Sequence, residues 1–292
     1  MGALRTPEED ALTRRRHLAT LLLVALGLSG APPPAAAFGP TGQQAVVLKS
    51  IDTLPKPLSK FYKDHRLEMP TLSPEAAPSG DRAPGERFEL DRLLPFPFLD
   101  LPHSESGLKA RFGDDVGERI GRLPWLIQDS YARLLEDFKG GDRAKILEES
   151  DAIARLILLL HNPLSLTENS DGQKTMQHGL KARFSERSLE AMQTRLKLNP
   201  DAANYLDNPK EFVFSMINGT YVWLDNVEYE EELAHRGKPG YTETYYEDME
   251  HRVWPIQRAL LSKAAEAVGS YWYTAWIQAG KPEMKEAPPP AR

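Results

Sequence analysis

The segment DRAKILEESDAIARLILLLHNPLS, residues 142–165, decides the fold. Asp142 is a preferred helix N-cap residue, and apolar residues follow at helical spacing until Pro163 ends the helix. Residues 156–160 are apolar without interruption, so every face of the helix is apolar there. A helix that is apolar all round is buried at the centre of a bundle. The segment therefore predicts a helical protein with this helix in its core.

Helical patterns also dominate the chain after residue 102. Pro124 suits a first helical position, apolar residues follow on one face, and a glycine pair ends that helix. Pro255 can kink the last of the further helices, which are predicted over about 179–197, 209–227 and 247–278. The chain has no alternating strand pattern of useful length and no repeat. The predicted fold class is all-α, with a single multi-helix domain over 38–283 and a proline-rich tail at 284–292.

The first 37 residues are predicted to be a signal peptide that precedes the domain. Three arginines at 14–16 come before an apolar run at 18–28, and small residues lead to an Ala-x-Ala site at 35–37. About eleven helical residues rise about 16 Å, too little for a bilayer core of roughly 30 Å, so an uncleaved anchor is the less favoured alternative. The arginines also suit a twin-arginine signal. The protein is therefore predicted to be exported, periplasmic or secreted, and not integral to a membrane.

Charge and composition narrow the classes of partner. Loss of residues 1–37 removes four arginines and three acidic residues, which changes the formal net charge from −6 to −7. A surface of that sign does not attract nucleic acid by bulk electrostatics. The chain has no cysteine, which excludes disulfides and thiolate metal ligands. The domain must therefore be stabilised by its core alone.

Three parts of the sequence carry a resemblance to a known family. They are GRLPWLI at 121–127, the group NPL, NSDGQ and ARF at 162–164, 169–173 and 182–184, and WYTAWIQAGKP at 272–282. In this order they are similar to a helix start, the metal-site core and the C-terminal ending of the zinc-dependent phospholipase C and single-strand-specific nuclease family. The resemblance implies an α-helical fold around a trinuclear zinc site that cleaves phosphodiester bonds in lipids or nucleic acids.

The positions that match the family's zinc ligands mostly hold residues that cannot bind zinc. Phe38 is the expected mature N-terminus, where the family has Trp, and its amine and carbonyl would still be available. The family's histidine and carboxylate positions fall on Gln43, Glu86, Arg155, Leu159, Ser165, Lys181 and Ser185. Zinc takes nitrogen, carboxylate or thiolate donors, which arginine, lysine and leucine do not supply. No metal and no cofactor are therefore predicted, although the family implies zinc.

Two functions compete at these positions. The leading interpretation is a pseudoenzyme without catalytic residues, which keeps the fold for binding or for a structural role. The second is an active phosphodiester hydrolase that uses fewer or rearranged metals. Its ligands would be the Phe38 amine, either Glu75 or Asp81, and the carboxylates of Glu86 and Asp91.

A third interpretation rests on two cations, Arg155 and Lys181, which replace histidines of the family. They could form a metal-free pocket for phosphate or a phospholipid head group. The simpler expectation is an internal salt bridge to Glu86 or Glu89, because an unpaired buried cation is costly.

The polar loop and the histidines allow further sites, each with a simpler alternative. Asn169 and Asp171 could contact a substrate, but such residues more often shape a turn together with Gly172. His161 could join His178 and Asp171 in a metal site. The favoured interpretation is that His161 satisfies the last carbonyls of its own helix.

Two clusters of one residue type are expected to be structural. The aromatic cluster Tyr271, Trp272, Tyr273 and Trp276 is expected in the core rather than at a membrane interface or a sugar. The acidic stretch Glu228–Glu232 is expected to be a solvated helix face.

Overall fold

A computed structural model of the protein describes residues 38–73 and 85–283. Within these ranges the chain is helical, with turns between the helices and no β-strand. The predicted all-α class is therefore confirmed. The predicted signal peptide at 1–37, the loop 74–84 that contains Glu75 and Asp81, and the tail at 284–292 lie outside the described residues.

The α-helices of the described ranges are numbered here in chain order. They are α1 (Gly39–Thr53), α2 (Leu58–His65), α3 (Glu105–Phe112), α4 (Val116–Ile120), α5 (Leu123–Gly140), α6 (Arg143–Leu160), α7, α8 (Pro209–Tyr221), α9 (Leu224–His235) and α10 (Glu243–Gln278). Helix α7 is α-helical over Leu180–Ala182, π-helical over Arg183–Arg187 and α-helical again over Ser188–Ala191.

Helix α6 is the central helix that its sequence predicts. The Asp142 carboxylate accepts the Lys145 backbone N–H at 3.3 Å, which caps the first turn. Residues 156–160 are all buried. Helices α5, α1 and α10 pack against α6, and α10 also packs along α1, α5 and α9. Each face of α6 near its C-terminal end therefore meets protein, which is why no polar residue interrupts that run.

Two predicted helices differ from the structure. The helix expected over 209–227 is divided at Val222 and Trp223, which form a turn between Tyr221 and Leu224. Beside this turn the Tyr221 ring packs against Phe98, with 4.8 Å between centroids. The helix expected over 179–197 contains the π-helical turn and ends at Ala191. The wider turn buries residues 183–185 in succession, which a regular α-helix on a surface does not do.

Three residues of the aromatic cluster of α10 are buried in the core, as expected, and Tyr273 is half-buried against it. Tyr271 and Trp272 have no exposed surface. The Trp272 ring stacks on Tyr62 with 4.5 Å between centroids, and its indole N–H donates to the Ser150 carbonyl at 3.1 Å. These contacts join α10, α2 and α6. None of the helices in the described ranges combines the length and the apolar character needed to cross a bilayer.

A crossing of two chain segments at Gly121 positions the region of Glu86. Gly121 has a φ of +93°, and a Cβ there would lie 2.0 Å from the Arg87 carbonyl oxygen. The Arg122 N–H donates to the Gly85 carbonyl at 2.7 Å, and the Leu123 N–H donates to the Arg87 carbonyl at 3.2 Å. Only glycine permits this approach. The first glycine of GRLPWLI therefore fixes residues 85–87 against the start of α5.

Candidate functional site

The positions predicted as former metal ligands lie on segments that contact one another. The Phe88 N–H donates to the Ser165 carbonyl at 2.9 Å, so the segment that follows Glu86 runs beside the end of the NPL motif. The Asn162 side-chain amide donates to the Ser185 hydroxyl at 2.7 Å, which joins that motif to α7. Segments distant in sequence thus meet at the C-terminal end of α6.

Arg155 and Glu86 form an ion pair with two hydrogen bonds. Nη1 donates to Oε2 and Nη2 donates to Oε1, each at 2.7 Å. The Glu86 side chain is 6% exposed and the Arg155 side chain is 34% exposed. A bidentate guanidinium–carboxylate pair is the strongest common form of such contact. The salt bridge expected between these two residues is therefore confirmed. Glu89, the alternative acceptor, is paired with Arg87 at 3.1 Å.

Three more of the predicted positions are filled by buried residues without metal-binding chemistry. Leu159 is packed in the apolar core. Ser185 is buried, and its hydroxyl accepts the hydrogen bond from Asn162. The Ser165 hydroxyl is buried and has no hydrogen-bond partner in the described structure. An unpartnered buried hydroxyl is unusual and marks a position where the present side chain is not matched to its surroundings.

The remaining positions surround this region. Phe38 is fully buried at the start of α1, and its ring lies 5.7 Å from that of Phe184. Gln43 is buried one turn into the same helix. Lys181 lies in the first turn of α7, where its backbone N–H donates to the Asp171 carboxylate at 3.3 Å.

The NSDGQ loop is organised by its own polar side chains. The Asn169 carbonyl accepts the Gly172 N–H at 2.9 Å, and Gly172 has a φ of +72°. The Asp171 carboxylate accepts the Gly179 N–H at 3.0 Å as well as that of Lys181. The expected turn is therefore confirmed, and Asp171 in addition caps α7. Among the described residues, Asp171, His161 and His178 are not brought together in a group that could hold a metal ion.

The side chains present do not fit a zinc site. Among residues 38–73 and 85–283, no three His, Asp or Glu side chains are arranged to hold a metal ion. Glu86 supplies a suitable donor, but both of its oxygens accept from Arg155. Asp91, the other carboxylate of the hydrolase interpretation, accepts the Thr167 hydroxyl and the Glu168 N–H, the latter at 2.9 Å. A positive guanidinium at a ligand position would also repel a cation.

His161 behaves as a helix-end residue, as expected. Its Nδ1 lies 2.8 Å from the Ile157 carbonyl oxygen, one turn back in α6. Burial lowers the pKa of His161 from 6.5 to about 4, and the charge of Lys263 acts in the same direction. The imidazole is therefore neutral at neutral pH.

The acidic stretch on α9 contains a buried ion pair that the sequence interpretation missed. Glu231 is buried, and one of its oxygens accepts from Arg183 Nη2 at 2.7 Å and from the Tyr245 hydroxyl at 2.8 Å. Its other oxygen accepts from the Gln177 amide at 2.6 Å. The expectation of a solvated face is wrong at this residue, because the partners come from α7 and α10.

Glu228 is the second exception in the acidic stretch. One carboxylate oxygen accepts from the Asn169 side-chain amide at 2.7 Å. Burial raises the pKa of Glu228 above its ordinary value, with neighbouring acids adding to the effect. Both exceptions tie α9 to the polar loop and to α7. For Glu231, the sequence contains one indirect signal, the arginine of the ARF motif, because an arginine that is buried needs an acidic partner.

The chain was compared with known protein families and with curated proteins. Protein-family models and curated proteins were both searched with the chain, and neither search gave a match.

Proposed function

We propose that this chain is an exported, non-catalytic relative of the zinc-dependent phospholipases C and single-strand-specific nucleases. In this proposal the helical fold of that family is retained, and the function is binding or structural support instead of phosphodiester hydrolysis. The observation that carries the proposal is the ion pair between Arg155 and Glu86. Two positions that match zinc-binding histidines hold residues that neutralise each other.

Packing around the ion pair supports the same conclusion. Leu159 and Ser185 are buried at other ligand positions, and the Ser185 hydroxyl is already bonded to Asn162. The loss of donors therefore extends over several helices. Hydrolysis in the family requires metal ions to polarise the phosphate and to generate hydroxide. Residues that exclude the metals also remove the means for that step.

The anion-pocket alternative has less support from the same contacts. The Glu86 carboxylate accepts one N–H from each terminal nitrogen of Arg155 and neutralises its charge. A phosphate at this place would meet a pair without net charge instead of a free cation, so its attraction would be weak. An existing bidentate pair therefore favours a structural role for Arg155.

Metal content tests the proposed function directly. The exported, signal-cleaved protein is purified without chelators, and its metal content is measured by mass spectrometry. The number of zinc ions per chain is expected to be near zero, and to stay near zero after incubation with zinc. Hydrolysis of bis(p-nitrophenyl) phosphate is expected to stay at the buffer rate. Two or three tightly held zinc ions per chain together with turnover would overturn the proposal.

A second prediction concerns the ion pair between Arg155 and Glu86. Arg155→Leu is expected to lower the free energy of unfolding by about 2 kcal/mol, because it leaves the buried Glu86 carboxylate without its cation. The partial exposure of Arg155 keeps the loss below that of a fully buried pair. Urea unfolding at pH 7.5 measures it. The double variant Arg155→Leu with Glu86→Leu is the control and is expected to recover most of the loss. Unchanged stability of Arg155→Leu with loss of saturable phosphate binding would contradict this and favour the anion pocket.

A further inference from the structure

A cavity of about 450 Å³ lies between α8 and α10, next to the C-terminal end of α6. Its size falls in the range of small-molecule sites, roughly 300–1,000 Å³. Most of its wall is apolar and comes from Phe212, Met216, Trp223 and Leu260, together with alanines of α10. The cavity is thus shaped for a compact apolar molecule.

One polar ring is exposed to this cavity. His161 lines it, although the residue is only 4% exposed. Its Nδ1 lies against the Ile157 carbonyl, which can only accept, so Nδ1 carries the hydrogen. Nε2 is then the acceptor nitrogen of the ring, and the one side-chain hydrogen bond shown for His161 uses Nδ1. A donor in the cavity can therefore bond to Nε2 without displacing that contact.

The charged residues at the cavity balance each other. The Lys263 ammonium contacts Glu266 at 2.8 Å and Asp201 at 3.5 Å. The cation is therefore already paired, and the imidazole of His161 is neutral. A charged ligand would gain no free counter-charge in this cavity, whereas an uncharged one would lose little hydration on entering.

Several residues that line the cavity have little or no side chain. Gly219 lies in α8, and a Cβ built on it would meet no atom within 4 Å. Ala259 and Ala267 line the cavity from α10. Gly219 is exposed, so a large side chain there can extend over the cavity without striking the backbone.

From these contacts we propose that the cavity binds a small, uncharged, mostly apolar molecule with a hydroxyl group, a phenol or similar alcohol, whose O–H donates to His161 Nε2. The apolar part lies against Phe212, Trp223 and Leu260. The hydrogen bond fixes its orientation, since Nε2 is the acceptor nitrogen of the buried ring. The site does not depend on the residues discussed as former metal ligands, and it would stand if the non-catalytic function were disproved.

Two matched probes test the proposal by calorimetry on the exported protein at pH 7.5. We expect 2-naphthol to bind saturably with a Kd below about 1 mM, and 2-methoxynaphthalene, which has no donor, to bind about tenfold more weakly. His161→Phe is expected to bring the two affinities within about twofold of each other. Equal affinities of the two probes for the unaltered protein, or no saturable binding of 2-naphthol, would overturn the proposal.

Variants at Gly219 test the location of the site. Gly219→Phe is expected to weaken 2-naphthol binding at least about tenfold by obstructing the cavity, whereas Gly219→Ala is expected to leave it within about twofold. Both replace a helical glycine by a better helix former, so both variants are expected to fold. Melting curves check this. Unchanged 2-naphthol binding by folded Gly219→Phe would place the ligand elsewhere and refute the site.

Discussion

Glu231→Ala is expected to lower the free energy of unfolding by about 4 kcal/mol, the largest loss predicted for this protein. The substitution leaves the Arg183 guanidinium buried without its carboxylate, because the side chains are 7% and 2% exposed. It also removes the carboxylate that accepts from the Tyr245 hydroxyl and from the Gln177 amide. The remaining partners of Arg183 are neutral, so the buried guanidinium loses its only ionic partner shown here.

The neighbouring residue provides a matched control. Glu232 lies on the same helix and pairs with Arg236 at 3.0 Å, but both side chains are more than 60% exposed. Exposed pairs contribute little, so Glu232→Ala is expected to change stability by less than about 0.5 kcal/mol. Urea unfolding at pH 7.5 compares the two variants. Losses of similar size would mean that burial does not set the strength of the Glu231 contact.

A double variant separates burial of charge from loss of packing. Arg183→Leu combined with Glu231→Leu removes both charges, and it is expected to be more stable than Glu231→Ala. The recovery should be incomplete, because Arg183 also donates to the carbonyls of Gln177 and His178 and lies over the Tyr241 ring at 4.0 Å.

Acid is expected to destabilise the protein through His161 between about pH 6.5 and pH 4, mostly above the pH at which ordinary carboxylates take up protons. The unfolded His161 takes up a proton near pH 6.5, whereas the folded residue does so only near pH 4. The unfolded state therefore binds more protons between these values, and the free energy of unfolding falls as the pH drops through the window. The full effect is about 3 kcal/mol, of which about 2 kcal/mol is present at pH 5.

The variant His161→Gln isolates this contribution, because glutamine does not titrate. Between pH 7.5 and pH 5, wild type is expected to lose about 2 kcal/mol more than the variant in urea unfolding, since the carboxylates and Lys263 are common to both. Parallel pH dependence in the two proteins would show that His161 can be protonated without cost. That result would contradict the buried, neutral ring on which the hydrogen bond in the cavity also depends.

The ends of the helices differ in how well the sequence predicts them. Asp142 and Pro163 bound α6, and a cap and a break of this kind act within one turn, so the sequence indicates them directly. The division of 209–227 falls at Val222 and Trp223, neither of which is a glycine or a proline. The adjacent Tyr221 ring packs against Phe98, more than a hundred residues earlier in the chain. A helical pattern read within one segment carries no signal for that contact.

Contacts between polar residues that lie far apart in the chain are also only partly predictable from the sequence. The pairing of Arg155 with Glu86 could be predicted, because the motifs of the resemblance bring both to one region. The burial of Glu231 could not, because a run of acidic residues on a helix has the same pattern whether or not one of them meets a guanidinium. The nearest signal in the sequence was the ARF motif. It contains the cation, Arg183, but it does not indicate that Glu231 is the partner.

By itself, the sequence determined the all-α class and the central position of α6, and it predicts, through the resemblance, a loss of metal donors at the matched positions. These properties follow from residue type, local spacing and caps, which need no knowledge of distant neighbours. Only the tertiary structure decided which carboxylates are buried, where the segment 209–227 divides, and that His161 lines a cavity between α8 and α10. Burial and hydrogen-bond partners are set by contacts between segments far apart in the chain, and the free energy of each polar group depends on them.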